Sequence, residues 1–173
     1  MFMRSSLAAL SWTVAVSASI AADTPKLGVP LSPAASAAWD ISIFPDGRGL
    51  PPGRGTARQG RVLYDAQCAR CHGAGGRGGT AEELAGSSSA LNGPDPDKTI
   101  GTYWPYATTI FDMTKRSMPM GAPGSLTDDQ VYALTAYLLF ANKIIAEDFE
   151  IDPQTLPLVK MPNRDGFDSI DAP

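Results

Sequence analysis

The two cysteines and the single histidine of this 173-residue chain fall within five consecutive positions, Cys68-Ala69-Arg70-Cys71-His72. C-x-x-C-H is the attachment sequence of c-type haem, and its spacing has a mechanical meaning. Two thiols one helical turn apart can each form a thioether to a vinyl group of the porphyrin. The adjacent imidazole then lies under the ring and offers a nitrogen to the iron, as a proximal histidine does. Other uses of the cluster fail on inventory. A structural zinc site takes four ligands, typically from Cys and His, and the chain has three such residues. A thioredoxin-like dithiol opens a helix after a strand in a βαβ unit, and no such pattern is visible. A haem enzyme or gas sensor with an open iron needs distal polar groups, and no spare histidine supplies one.

Residues 1–22 read as a secretory signal. Arg4 gives the positive end, Leu7 to Val16 the apolar stretch, and Ser19-Ile20-Ala21 a small-x-small cleavage site near Ala21 or Ala22. The apolar stretch is short for a transmembrane span, and no second one follows, so no membrane span is expected. Export predicts a periplasmic protein and tells against a cytosolic role for the cysteines. About 151 residues would remain, enough for one domain with its own core. Losing a leader with one basic residue and no acidic one takes the net charge from −4 to −5. That balance disfavours nucleic acid and anionic membranes as partners. It suits docking to a basic patch on another protein, or serves solubility alone.

Residues 23–55 form an arm rich in Pro, Gly and Ala, which gives turns and extended chain. Ala34 to Asp40 is expected to make one helical turn. Trp39, Ile41, Ile43 and Phe44 are expected to pack the arm on the domain, because disordered segments rarely carry so many large apolar groups. The domain spans 56–142. Ala57, Val62, Leu63, Ala66 and Ala69 predict a helix over 57–70 with one apolar face, and Gly60 within it permits close approach of another backbone. Five glycines in 73–79 turn the chain sharply. A second helix is predicted from Trp104 to Arg116, with Pro105 in its first turn, stopping before Pro119. Thr127 and Gln130 make a capping box for a third helix. Its apolar run from Val131 to Ala141 predicts burial on several faces. The extension 143–173 is polar and proline-punctuated, with Ile144, Ile145, Phe149, Leu156, Leu158 and Met161 as possible anchors.

With one histidine, ligation of one iron by two histidines within this chain is impossible. Met1 and Met3 leave with the signal, and core filling is expected for Met113 and Met161. Met118 and Met120, in Ser-Met-Pro-Met-Gly, remain as candidates for the opposite axial position, on a loop stiffened by Pro119. Tyr103, Trp104 and Tyr106 cluster before the second helix. Their N–H and O–H groups can reach haem propionates or simply find partners in the core. Arg77 is expected to be solvated.

C-x-x-C-H, the later Met-Pro loop and the final capped helix together resemble single-haem class I cytochromes c over about 56–142. Gly60 and Tyr64, with Tyr137 and Leu138, look like that family's helix-crossing contact. The resemblance implies an all-α fold of three main helices around one covalent haem c, with irregular N- and C-terminal extensions. It implies Met118 rather than Met120 as the sixth ligand, since the family presents its methionine as x-Met-Pro-x. An iron closed on both sides passes single electrons. The family often steadies its haem histidine through a carbonyl beside a proline after the glycine turn. Here Thr80 follows Gly79 and Gly93-Pro94 comes later, so that partner of His72 is not legible.

A narrower likeness rests on Ala38-Trp39-Asp40-Ile41 with Pro45-Asp46-Gly47-Arg48-Gly49-Leu50-Pro51, on Tyr103-Trp104-Pro105-Tyr106-Ala107-Thr108-Thr109, and on the run Leu126 to Tyr137. These segments resemble cytochrome c subunits of sulfur-oxidising molybdenum enzymes: the sulfane dehydrogenase of the Sox system and related sulfite dehydrogenases. The likeness implies electrons accepted from a molybdenum-cofactor dehydrogenase subunit and passed to a downstream soluble cytochrome c. Some members carry two haem domains, whereas this chain has one motif. Both cysteines are committed to haem, so none is left to ligate molybdenum, and the chain is expected to be non-catalytic. The other reading is a free periplasmic shuttle serving another dehydrogenase or a terminal oxidase.

Overall fold

Two T-x-x-Q sequences set where the two helices that cross in the core begin. In the first, the Thr56 hydroxyl accepts from the Gln59 amide, and the Gln59 side chain accepts from the Thr56 amide at 2.9 Å. Thr127 and Gln130 repeat the reciprocal pair. Each box satisfies two amides that a helix N-terminus leaves without partners. The computed structural model describes residues 27–37, 39–86, 91–94, 96–168 and 170. The expected leader and Ala38 lie outside the described residues.

The described helices are α1 (Pro33–Ala37), α2 (Ala57–Gln67), α3 (Ala69–His72), α4 (Ala107–Ser117) and α5 (Asp128–Ala141), with single 3-10 turns at Ala74–Gly76 and Leu156–Leu158. Among the described residues the only β pairing is an isolated bridge between Gly55 and Ile151. None of the helices is long and apolar enough to cross a membrane.

Helix α5 is the centre of the core, buried at every position from Val131 to Leu139. Helix α2 crosses it where Gly60 meets Ala133; a Cβ on Gly60 would collide with the Ala133 carbonyl. Beside that contact the Tyr64 and Tyr137 rings pack with centroids 4.9 Å apart. Helix α4 covers another face of α5, where Phe111 and Tyr132 sit 4.4 Å apart. Side chains as fully buried as Phe111 and Leu139 each contribute about 1.5–3 kcal/mol by leaving water.

Several boundaries differ from the sequence expectation. The helix expected over 57–70 breaks at Cys68 (φ −110°, ψ −39°), whose amide still donates to the Tyr64 carbonyl at 2.8 Å, and restarts as α3. The helix expected from Trp104 begins at Ala107. Trp104 precedes a proline, which disfavours helical backbone. Tyr106 is extended (φ −134°, ψ 132°), its ring under the Arg164 guanidinium at 4.3 Å. The stop before Pro119 holds, with Met118 extended.

The arm does not pack as expected. Ile43 and Leu50 reach the core, but Trp39 is 81% exposed and Ile41 and Phe44 also face solvent. A tight turn explains Phe44: its amide donates to the Arg48 carbonyl at 2.9 Å, and the Arg48 guanidinium lies over its ring. In the C-terminal segment Ile151, Leu156 and Met161 are buried, whereas the expected anchors Phe149 and Leu158 are exposed. Asp152 organises this segment. Its carboxylate accepts from the amides of Thr155 and Gln154 at 2.7 and 2.9 Å, and these bonds hold it below the usual carboxylate range.

Candidate functional site

The break at Cys68 gathers both thiols and the imidazole into one turn. The amides of Cys71 and His72 donate to the Cys68 carbonyl at 3.1 and 3.0 Å. Cys68 is half-buried against the core and Cys71 is exposed; neither forms a disulfide. Burial, then the neighbouring Cys71, pushes the Cys68 thiol up to about 11. It therefore stays neutral near pH 7, in surroundings that an uncharged thioether also suits.

His72 is half-buried, and its Nδ1 lies 2.8 Å from the Glu82 carbonyl. A carbonyl only accepts, so Nδ1 carries the proton and Nε2 keeps its lone pair free for a metal. The glycine loop delivers Glu82 to this place. Gly73 (φ 77°) ends α3 in a conformation that favours glycine, and a Cβ there would strike the Arg77 carbonyl. The Tyr64 hydroxyl donates to the Gly73 carbonyl at 3.1 Å, and the Ala81 amide donates to the Cys71 carbonyl at 2.8 Å. These bonds fold the loop back onto α3, behind the imidazole. Glu82 is the partner that sequence reasoning missed. It acts through its backbone, so its side-chain identity carried no signal.

Met118 caps the C-terminal end of α4; its amide donates to Thr114 at 3.1 Å and its side chain is half-buried. Met120 is 80% exposed. Met161 fills the core as expected, but Met113 does not, because it lies on the outer side of α4. Trp104 is half-buried against the core. Tyr106 lies under the Arg164 guanidinium, and Tyr103 meets Phe167 edge-to-face, its carbonyl accepting from the Asn163 side chain at 2.8 Å. The C-terminal segment thus clasps the aromatic cluster that precedes α4. Arg77 is exposed, beside Gly86. Two free thiols, an imidazole with one uncommitted nitrogen and a half-buried thioether are together a donor set that fits a covalently attached haem.

A family model described as cytochrome c matches residues 57–141. No curated protein matches the chain. Among solved structures, the sulfane dehydrogenase SoxCD from Paracoccus pantotrophus is similar. Its matching chain shares 40% identity with this one at a TM-score of 0.77, over 86% of this chain and 73% of that one.

Proposed function

Because this chain belongs to the cytochrome c family, with a class I cytochrome c fold and covalent haem c, we propose that it is the haem-bearing electron-transfer subunit of a periplasmic molybdenum-cofactor dehydrogenase acting on sulfite or sulfane sulfur. Residues 56–142 are the haem domain, flanked by the arm 23–55 and the extension 143–173. The observation that carries the dehydrogenase reading is the reach of the SoxCD likeness. It covers 86% of the chain, well beyond the cytochrome core at 57–141. A minimal diffusing shuttle needs neither flanking segment.

Haem c, when bound, supplies one-electron iron chemistry. Cys68 and Cys71 tether it through thioethers. His72 presents Nε2 to the iron, and the Glu82 carbonyl fixes the ring's tautomer and rotation. Met118 would supply a thioether to the iron, a ligand that raises the reduction potential. Trp104 and Tyr106 would offer N–H and O–H donors to its propionates. With an imidazole and a thioether both offered by this chain, the iron would carry electrons and bind no substrate, and the chain itself is non-catalytic. It accepts electrons singly from the molybdenum subunit and passes them to a soluble cytochrome c.

Tagged protein purified from its native host tests this. A complex retaining molybdenum in proportion to haem, whose haem is reduced on adding sulfite or a sulfane donor, is the expected result. A molybdenum-free monomer reduced only by unrelated donors would make it a free shuttle instead.

A further inference from the structure

The described part of the arm turns its largest side chains away from the molecule. Trp39 (81% exposed), Ile41 (54%) and Phe44 (40%) line it, while Ile43 and Leu50 anchor it to the core. The turn beneath them is well tied. The Gly47 amide donates to the Phe44 carbonyl at 3.0 Å, and Arg48 both pairs with Asp46 at 3.1 Å and covers the Phe44 ring. Gly47 lies so close to Pro157 that a Cβ would strike its ring, which joins the arm to the C-terminal segment next to Leu158, 77% exposed. Exposed apolar side chains scattered singly need no explanation, but several along one fixed strap mark an interaction surface.

We propose that this strap, Trp39, Ile41 and Phe44 with Leu158 beside them, is the docking surface for the molybdenum-cofactor subunit. The inference rests on the dehydrogenase reading above. Two observations select that occupant over the downstream cytochrome. The SoxCD likeness extends outside 57–141 into the flanking segments, so these are shared with a chain of a dehydrogenase. The strap is also the wrong chemistry for a passing encounter. Here the surface offers a tryptophan and an arginine-backed phenylalanine, side chains of the kind that dominate lasting interfaces.

The test co-produces the full chain with its host's molybdenum-cofactor subunit and follows molybdenum retained per haem through gel filtration at serial dilution. The variants are Trp39→Ala alone and Trp39→Ala with Ile41→Ser. Both positions are exposed, so haem content, absorption spectrum and thermal unfolding should match the parent. The parent should keep its molybdenum. The double variant should lose it at concentrations at least tenfold higher, with a parallel loss of sulfite-driven haem reduction. Retention equal to the parent overturns the docking role and leaves the dehydrogenase reading standing. A parent that never retains molybdenum overturns both. A parent that instead forms a dimer of itself, split by the same substitutions, overturns the proposal in favour of a second copy as occupant.

Discussion

Met118→Ala should abolish the weak red absorption band of a ferric methionine–iron bond and lower the reduction potential by a few tenths of a volt. Met120→Ala should leave both unchanged. The expectation follows from where the two thioethers stand. Met118 ends α4 in a half-buried position, its amide fixed to Thr114. Met120, two residues on, is 80% exposed. A thioether stabilises ferrous iron relative to harder ligands, and axial ligands command a span of about 0.8 V. Removing it also opens the iron, so reduced Met118→Ala should bind carbon monoxide where the parent does not. Optical spectra with potentiometry check all three effects. If Met120→Ala produced them and Met118→Ala did not, the ligand assignment would be reversed.

Gly60→Ala should destabilise the protein by about 3 kcal/mol, at the upper end of the usual range for overpacking. For a chain of this size that lowers Tm by roughly 6–12 °C. The added Cβ would meet the backbone carbonyl of Ala133, with the Cβ of Tyr137 at 2.8 Å. Backbone cannot rotate aside, so α2 and α5 must separate, and the Tyr64–Tyr137 packing goes with them. The cause can be told from generic crowding. Adding Ala133→Gly should not rescue the variant, because the obstruction is the carbonyl and not the alanine methyl. Gly121→Ala, at a position with nothing within 4 Å, should change stability by less than about 0.5 kcal/mol. Thermal unfolding monitored by circular dichroism gives the comparison.

What the sequence disclosed followed how local each determinant is. C-x-x-C-H, the box at Thr127 and the helix stop before Pro119 depend on residues a few positions apart, and all could be read. Gly60 was legible as a close approach because a glycine inside a helical pattern needs a reason. The Thr56–Gln59 box uses the same T-x-x-Q pattern as the later one but went unread. The break at Cys68 and the late start of α4 were not legible. The first involves the loop that folds back onto α3; for the second, Trp104 before Pro105 was a local warning, but the extended Tyr106 with Arg164 over its ring, 58 positions on, was not. Glu82 was hidden for a different reason: its contribution is a carbonyl, which every residue possesses. Trp39 misled because apolar character does not oblige a side chain to be buried in its own domain: much of a folded protein's surface is apolar.

Intact-mass analysis of the denatured protein, matured in its native host, tests the haem assignment most directly. The expected mass lies one haem above that of the polypeptide, with the addition on the peptide carrying Cys68 and Cys71. The polypeptide mass in that analysis also tests whether the expected leader over residues 1–22 is removed. A bare polypeptide mass, or a haem that denaturation strips away, would contradict the haem assignment.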